Sequence, residues 1–519
     1  MRKNQLLIVL VILFGLGATA QNAPPQVKVS SGTLEGSSSD GIFKFLGIPY
    51  AAAPVGKLRW EIPQPAENWK GVRKATAFGP RAMQKFIYTD MVFRSPGVSE
   101  DCLYLNVWTP ELKPKSKLPV LVYFHGGGFN AGDGSEPRYD GTSMASKGIV
   151  VVTINYRMGI FGFFAHPELS KTSKTHASGN YGLMDMTAAL KWVKTNISSF
   201  GGDPEKITIG GQSAGSIAVS LQMASPLAKG LFRAAIGQSG SMMGMNKPIE
   251  LQQAEQLGIK FQADAGKANI DELKNIPADE LLELSRKPGA VYFPVIVDGY
   301  FLPEQPVEIY TKGFQADVPL LAGWTSAEVG AGSVLGKEKP TLENYRAAVD
   351  KLYGAKAEEV KKVYAAGNDE AVLKVATELA SDRYLGFSTW KWTDIHGKTK
   401  HKPVYRYLYQ QLLPPIKGQE EKYVKAVGAP HSSDIAYALG NLPLDKVYAY
   451  TPDDFKASAF MQGYFVNFIK TTDPNGAGLP KWSELQSSIP KVMYIDANSK
   501  EAPEQNLKRY QFMDQLYYP

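Results

Sequence analysis

The residues best suited to chemistry lie in the run Gly211-Gln212-Ser213-Ala214-Gly215. The pattern G-x-S-x-G is that of the nucleophile elbow, a sharp turn between a strand and a helix that exposes a serine hydroxyl. Glycine two residues before and two residues after the serine removes side chains that would collide in the turn. A serine held in this way attacks a carbonyl carbon when a neighbouring base takes its proton. The motif therefore predicts Ser213 as a nucleophile.

The flanks of this motif have the composition that an elbow requires. A short run rich in β-formers, 206–210, precedes it, and an apolar stretch over 216–223 predicts a buried helix after it. A second serine, Ser239, follows another apolar run, 232–236, but lacks the second glycine. The side chain of Ser241 would crowd that turn. Ser239 is therefore interpreted as a structural or supporting serine.

A glycine-rich segment, His125-Gly126-Gly127-Gly128, supplies the second signal. It follows the continuous apolar run 118–124, which is typical of a central strand buried on both faces. Attack on an ester creates an oxyanion that needs N–H donors within hydrogen-bond distance. Backbone can approach a substrate this closely only where side chains are absent. The two motifs together predict a serine hydrolase.

A general base is needed next, and histidine suits neutral pH. The chain has six histidines: His125, His166, His176, His396, His401 and His431. The nucleophile elbow is typical of the α/β-hydrolase fold, in which serine, acid and histidine follow in that order along the chain, so the histidines before Ser213 are excluded. His396 and His401 flank a polar, charged turn that we expect to face solvent. His431 lies in a loop beyond a predicted late strand, 403–409, where the base belongs. The order and the context select His431.

The acid that orients this histidine is harder to derive. Glu328 lies on a loop beyond a predicted core strand, 318–322, and is favoured. Asp298 follows the apolar run 293–297 and is the main competitor, while Asp382 is a weaker one. The residue pattern leaves all three carboxylates open.

Further segments, in collinear order over nearly all of the chain, give a resemblance to a known family. They are Phe45–Ala51, Pro54–Trp60, Ser99–Val107, Asn155–Arg157, Gly179–Asp185, Phe200–Pro204, Asp473–Gly476 and Leu479–Trp482. With the two motifs above, they resemble the type-B carboxylesterase (carboxylesterase/cholinesterase) family of the α/β-hydrolase fold. The resemblance implies a large central, mostly parallel twisted sheet with helices on both faces. It also implies a single domain over 21–519, with cap insertions over the active site. The helix-rich segments 250–290 and 335–400 are expected to contribute to that cap.

The resemblance also implies roles for individual residues. The family's acid corresponds to Glu328, and its oxyanion donors correspond to the backbone N–H groups of Gly127, Gly128 and Ala214. Ser239 matches a serine that lies close to the family's triad. No metal or organic cofactor is expected. Asp203, Asp185 and Arg157 match structural residues of the family and are interpreted as such.

Three departures from the family pattern stand out. Gln212 precedes the nucleophile where the family usually has glutamate, and little change in mechanism is expected from it. Cys102 is the only cysteine, so the family's disulfide is absent, and Ala82 stands where its partner would be. The 82–102 segment lacks the tryptophan with which cholinesterases hold choline, which argues against a choline ester specialist. Phe86, Tyr88 and Phe93 remain candidate aromatic contacts there.

The N-terminus predicts export. Arg2 and Lys3 precede an apolar core over 6–16, and Ala18-Thr19-Ala20 fits a signal-peptidase site. We therefore expect a signal peptide over 1–20, a mature chain from Gln21 in the periplasm or exterior, and no stable membrane anchor. The formal charge of +7 is small for this length, so nucleic-acid binding is not expected. The oligomeric state is not readable from the sequence.

The expected reaction is the two-step hydrolysis of a small-molecule carboxylic ester through an acyl-enzyme. One alternative is a specialist for aryl or hydroxycinnamoyl (feruloyl-type) esters, because the cap insertions that form the pocket walls do not reveal their substrate. A second alternative is a non-catalytic, cholinesterase-like binding protein. That alternative is disfavoured, because such proteins usually lose a triad residue and this chain keeps all three candidates.

Overall fold

The computed structural model describes residues 23–485 and 490–519, so the predicted signal peptide lies outside the described residues. In the described part of the chain, eleven strands form one sheet. In chain order they are β1 (Ser37–Ser39), β2 (Ile42–Pro49), β3 (Tyr104–Thr109), β4 (Leu118–Phe124), β5 (Val150–Ile154), β6 (Gly202–Gln212), β7 (Ala234–Gln238), β8 (Leu320–Thr325), β9 (Val404–Tyr409), β10 (Lys491–Ile495) and β11 (Lys500–Pro503).

The middle of this sheet is parallel. The spatial order is β11-β10-β9-β8-β7-β6-β4-β5-β3-β2-β1, and every pair from β10 to β5 runs parallel. Antiparallel pairs occur at both edges, between β10 and β11 and from β5 outward to β1. The expected mostly parallel sheet is confirmed. Because the parallel strands share one direction, the loops that follow them lie together at the carboxyl ends of the strands.

Helices cover both faces of the sheet. Along β4, Val120, Val122 and Phe124 belong to one hydrophobic cluster, whereas Leu121 and Tyr123 belong to another. This alternation follows from the two-residue period of a strand. The α-helices are Thr142–Ala145, Gly159–Phe163, Pro167–Thr172, Tyr181–Asn196, Ala214–Ala224, Leu251–Asp264, Ile270–Lys274, Ala278–Leu284, Pro306–Thr311, Gly332–Leu335, Leu342–Tyr353, Ala357–Val363, Asp369–Ser381, Phe387–Thr399, Asp434–Leu439, Pro452–Thr471 and Leu507–Tyr517. A short π-helix, Asp382–Gly386, joins two of them.

The longest described helix shows how local sequence sets an element. Thr451 and Asp454 form a capping box, and Pro452 occupies the first turn of the helix Pro452–Thr471. Its buried side chains pack in the cluster that contains Leu121 and Tyr123. Among the described residues, no helix combines the length and the apolar character needed to cross a bilayer.

The predicted elements that flank the motifs are present. The apolar run 118–124 is β4, the run 206–210 lies within the longer β6, and the run 403–409 contains β9. The run 293–297, in contrast, contributes only the two-residue strand Ile296–Val297, which pairs with Ile249–Glu250 outside the main sheet. Asp298 therefore does not follow a core strand.

One prediction about a histidine is wrong. His396 does not face solvent, because the segment 387–399 continues as a helix through the polar residues that suggested a turn. Its side chain is buried, with Nε2 2.9 Å from the Val318 carbonyl oxygen and Nδ1 3.2 Å from the Gln315 amide nitrogen. Burial lowers the pKa of His396 to about 4. His401 is exposed as expected.

Candidate active site

Ser213 occupies the turn between β6 and the helix Ala214–Ala224. Its backbone has φ 56° and ψ −122°, a conformation that non-glycine residues rarely adopt. A Cβ on Gly215 would lie 2.0 Å from the carbonyl oxygen of Phe124, and one on Gly211 would lie 2.5 Å from the backbone of Gly215. The glycines of the motif therefore let this turn close against the end of β4.

The structure brings Ser213, His431 and Glu328 together. His431 Nε2 lies 2.9 Å from Ser213 Oγ, and His431 Nδ1 lies 2.5 Å from Glu328 Oε2. The other carboxylate oxygen of Glu328 accepts the backbone N–H of Thr325 at 2.7 Å. The Glu328 side chain is fully buried, whereas 21% of the His431 side chain is exposed. The imidazole can therefore donate to the carboxylate through Nδ1 and accept the serine proton at Nε2.

Backbone contacts fix the loop that carries Glu328 relative to the loop that carries His431. The N–H of Ala327 donates to the carbonyl oxygen of Ala429 at 2.9 Å, and the N–H of Ala429 donates to Ser326 Oγ at 2.9 Å. Ala327 also forms a parallel bridge with Pro430. Glu328 and His431 thus each directly follow a residue of this short paired segment, which sets the distance between them.

The two competing carboxylates have other partners. Asp298 accepts the backbone N–H groups of Tyr300 and Leu302. Asp382 is buried and accepts hydrogen bonds from Tyr364 and Arg509. Both are occupied in structural contacts, and Glu328 is the carboxylate hydrogen-bonded to His431.

The glycine loop after β4 passes beside Ser213. A Cβ on Gly126 would lie 3.2 Å from the Cβ of Ser213, and Gly127 and Gly128 have φ of 110° and 62°. In the described part of the chain, no group accepts a hydrogen bond from the backbone N–H of Gly127, Gly128 or Ala214. Free N–H groups beside a nucleophile suit the oxygen of a tetrahedral intermediate. This arrangement fits the expected oxyanion donors.

His125 fixes the start of this loop. Its Nδ1 lies 2.8 Å from the Gly126 carbonyl oxygen, and its ring stacks on Tyr156 with centroids 4.3 Å apart. The Tyr156 hydroxyl donates to the carbonyl oxygen of His125 at 2.8 Å. Burial lowers the pKa of His125 to about 4, so the ring is neutral at physiological pH. His125 therefore has a structural place in the loop, as its position in the motif suggested.

Two neighbours of the triad have contacts that the sequence did not reveal. The Gln212 amide nitrogen lies 3.2 Å from His431 Nε2 and 3.3 Å from Ser432 Oγ, so Gln212 contacts the candidate base directly. Ser239 has φ 58° at the end of β7 and is completely buried. Its hydroxyl finds no hydrogen-bond partner within the described residues. Ser239 is therefore placed as a buried neighbour of the elbow.

Other residues around the site come from distant parts of the chain. The Tyr384 ring stands edge-on to His431, with centroids 5.7 Å apart. A Cβ on Gly128 would lie 3.1 Å from the Tyr88 hydroxyl, so Tyr88 reaches the glycine loop, whereas Phe86 packs against Phe93. No local pattern marks Tyr384, since its place depends on the helices that surround it.

The residues interpreted as structural have structural contacts. Arg157 and Asp185 form a buried, two-pronged ion pair, with Nη2–Oδ1 2.7 Å and Nε–Oδ2 2.8 Å. Asp203 pairs with Lys206 at 3.3 Å. Cys102 is buried and unpaired, and burial raises the pKa of its thiol well above the usual value. A protonated, inaccessible thiol is a packing group rather than a nucleophile.

Comparison with known proteins gives a consistent result. The model of the carboxylesterase family matches residues 23–513. The chain is 36% identical over 496 residues to the fumonisin B1 esterase of Sphingopyxis macrogoltabida, covering 91% of this chain and 88% of that protein. It is 33% identical over 493 residues to the para-nitrobenzyl esterase of Bacillus subtilis, covering 91% of this chain and 94% of that protein.

Solved structures agree with the sequence matches. A carboxylesterase of Geobacillus stearothermophilus superimposes with a TM-score of 0.80 at 32% identity, covering 94% of this chain and 99% of that chain. A para-nitrobenzyl esterase superimposes with a TM-score of 0.79 at 30% identity, with the same coverage of both chains. The likeness therefore extends over the fold as a whole and is not confined to the motifs.

Proposed function

Because this chain belongs to the carboxylesterase family, and is thus a carboxylic ester hydrolase, we propose that it is an exported serine esterase with the triad Ser213, His431 and Glu328. The observation that carries the proposal is the continuous hydrogen-bonded chain from Ser213 Oγ through both nitrogens of His431 to the buried carboxylate of Glu328. The backbone N–H groups of Gly127, Gly128 and Ala214 lie beside Ser213 and have no acceptor among the described residues, which gives further support.

In the first step, His431 Nε2 takes the proton of Ser213 while the serine oxygen attacks the ester carbonyl carbon. Glu328 holds the imidazole in the required tautomer and stabilises the imidazolium that forms. The N–H groups of Gly127, Gly128 and Ala214 stabilise the oxyanion, and removal of one such donor typically costs about 2.7–4 kcal/mol. Collapse of the intermediate releases the alcohol, which takes its proton from His431.

In the second step, water attacks the acyl-enzyme. His431 accepts the proton from water and returns it to Ser213 Oγ as the acid leaves. The two proton transfers use the same nitrogen, which faces the serine in the resting enzyme. Names of the relatives, a fumonisin B1 esterase and a para-nitrobenzyl esterase, support a small-molecule ester as the substrate.

The test is the hydrolysis of p-nitrophenyl butyrate by the chain that starts at Gln21, beside the variants Ser213→Ala, His431→Ala and Glu328→Ala. We expect serine-dependent turnover and a loss of nearly all activity in each variant, with circular dichroism spectra unchanged. Full activity in Ser213→Ala would overturn the proposed nucleophile. A folded protein that hydrolyses no ester and takes up no fluorophosphonate would instead be the non-catalytic binding protein.

Two tyrosines at the site favour a second candidate, an esterase specialised for aryl or hydroxycinnamoyl esters. Tyr88 and Tyr384 are 41% and 48% exposed, Tyr384 contacts His431, and the Tyr88 hydroxyl reaches the glycine loop. Exposed rings beside a nucleophile can stack on an aromatic acyl or alcohol group. The ratio of kcat/KM for methyl ferulate to that for methyl butyrate separates this specialist from a broad short-acyl esterase.

Export is proposed from the sequence of residues 1–20 alone. The test is mass spectrometry of the protein recovered from the periplasm and from the medium of the producing cells. We expect an N-terminus at Gln21 in one of these fractions. A full-length chain retained in the cytoplasm would contradict export.

A further inference from the structure

Arg286 extends from the cap segment to the glycine loop. It follows the helix Ala278–Leu284, and its Nη2 donates to the carbonyl oxygen of Asn130 at 3.2 Å and to Asn130 Oδ1 at 2.9 Å. Asn130 in turn donates through Nδ2 to the Gly128 carbonyl oxygen at 2.7 Å and through its N–H to the Gly127 carbonyl oxygen at 3.0 Å. One residue therefore separates this guanidinium from both glycines of the loop.

The positive charge of Arg286 has no carboxylate partner among the described residues. Six described arginines each form an ion pair with an acid (Arg59, Arg94, Arg138, Arg157, Arg406 and Arg509), whereas Arg73, Arg81, Arg233, Arg346 and Arg383 share the lack of one with Arg286. Burial lowers the pKa of Arg286, and the nearby phenols of Tyr88 and Tyr292 only partly oppose that shift. Half-burying a cation without a counter-ion is unfavourable. An anion that arrived here would relieve that cost.

A cavity of about 240 Å³ adjoins this guanidinium. Its polar lining includes Arg286, Lys287 and Asn130, and its apolar lining includes Met83 and Phe293. Lys287 is exposed and adds a second positive charge. A short carbon chain that ends in a carboxylate fits this combination of apolar wall and cationic end.

We propose that Arg286 and this cavity form an anion subsite beside the oxyanion loop, and that the enzyme acts on esters that also carry a carboxylate group. The proposal rests on the proposed esterase function. Arg286 Nε and Nη1 donate no hydrogen bond to a described residue, so both are free for the substrate. Guanidinium and carboxylate match in geometry and charge, and such charge-assisted hydrogen bonds are about twice as strong as neutral ones.

The test compares ester pairs that differ only in a carboxylate and its carboxamide isostere. On the alcohol side the pair is 4-acetoxybenzoate and 4-acetoxybenzamide, and on the acyl side it is monoethyl adipate and ethyl adipamate. The readout is the ratio of kcat/KM for the anionic ester to that for the neutral ester. Any effect of the variant on the loop through Asn130 acts on both esters, so it cancels in this ratio.

The variants are Arg286→Gln, Arg286→Lys and the matched control Arg233→Gln. Arg233 is also half-buried, and it donates to the backbone carbonyl oxygens of Ile469 and Lys470. It directly precedes β7, so it lies at the amino ends of the parallel strands, whereas the triad lies at their carboxyl ends. Removal of Arg233 therefore measures the effect of one lost positive charge far from the subsite.

We expect Arg286→Gln to lower the ratio of kcat/KM for the anionic ester to that for the neutral ester by about ten- to a hundredfold, for at least one pair. This fold-change corresponds to the free energy of one hydrogen bond to a charged group. Arg286→Lys should keep part of the ratio, and 0.5 M salt should weaken it in the wild-type protein. A ratio that Arg286→Gln changes no more than Arg233→Gln does would overturn the subsite. Absence of serine-dependent turnover of p-nitrophenyl butyrate would instead mean that the esterase proposal itself has failed.

Discussion

Gly215→Ala tests whether the elbow and the oxyanion loop are mechanically coupled. The added methyl group would lie 2.0 Å from the Phe124 carbonyl oxygen and 3.0 Å from that of His125. Real Cβ atoms essentially never come within 3.0 Å of a non-bonded heavy atom, so the helix and the end of β4 must separate by about 1 Å (3.0 − 2.0). Overpacking of this kind costs about 1–3 kcal/mol of stability.

The same shift should impair catalysis more than folding. Phe124 directly precedes the glycine loop, and a misplacement of ~1 Å can cost a factor of about 100 in rate. Loss of one oxyanion donor lowers kcat about 100- to 1,000-fold. We therefore expect kcat for p-nitrophenyl butyrate to fall by about 100-fold or more, while the melting temperature falls by only a few degrees.

Gly397→Ala is the matched control for this substitution. Gly397 lies in the helix Phe387–Thr399, and a Cβ there would meet only ordinary contacts, at 3.7 Å from Val404 and 3.9 Å from Leu485. Alanine should leave activity unchanged and should stabilise the helix by up to about 1 kcal/mol. Wild-type kcat in Gly215→Ala, at any melting temperature, would refute the proposed coupling.

Three further predictions concern the acid, a buried carboxyl and a structural ion pair. Glu328→Gln should lower kcat for ester turnover about 10,000-fold, because the neutral amide no longer holds the active tautomer of His431. Circular dichroism should show that the variant remains folded, and a loss of kcat below tenfold would contradict the role of Glu328. Asp434→Asn should gain melting temperature relative to the wild type as pH rises from 4 to 7, and an equal difference at all pH values would contradict this. Asp185→Asn should lower the free energy of unfolding in urea by about 3–5 kcal/mol, because it leaves Arg157 buried without its counter-charge; a loss below 1 kcal/mol would mean that the pair is not structural.

The direction of the pH effect follows from the environment of Asp434. Burial raises the pKa of this carboxyl from 3.8 to about 6, even though Gln238 and Tyr407 donate to it. Between these pH values the unfolded chain has lost a proton that the folded chain keeps, so the contribution of Asp434 to folding stability is greatest below pH 3.8 and declines as pH rises through 6. Two pKa units correspond to at most about 3 kcal/mol. Asparagine does not ionise and removes this decline.

The sequence predicts best what is decided locally. The elbow around Ser213 and the glycine loop around Gly127 each need glycine for short-range steric reasons, and such needs leave a pattern in the chain. Apolar runs predict single strands such as 118–124, whereas the mostly parallel sheet is implied by the resemblance to the carboxylesterase family. The acid could only be favoured, because its choice depends on a backbone pairing between Ala327 and Pro430 that joins two distant loops.

Features that depend on helix packing could not be predicted. His396 has polar neighbours in sequence but lies on the buried face of its helix, which misled the expectation that it faces solvent. Arg286 and Tyr384 belong to the segments 250–290 and 335–400, and their places near the site are set by contacts with distant parts of the chain. Gln212 was noticed as a departure from the family, but its contact with His431 became evident only in three dimensions.

The central claim is that Ser213 is the nucleophile, and covalent labelling tests it most directly. Ser239→Ala is the matched control, because each serine directly follows a strand of the sheet and the two have nearly equal φ, 56° and 58°. After treatment with a fluorophosphonate, peptide mass spectrometry should find one adduct, on Ser213, in the wild-type protein and in Ser239→Ala but none in Ser213→Ala. An adduct on another residue, or undiminished labelling of folded Ser213→Ala, would contradict the account.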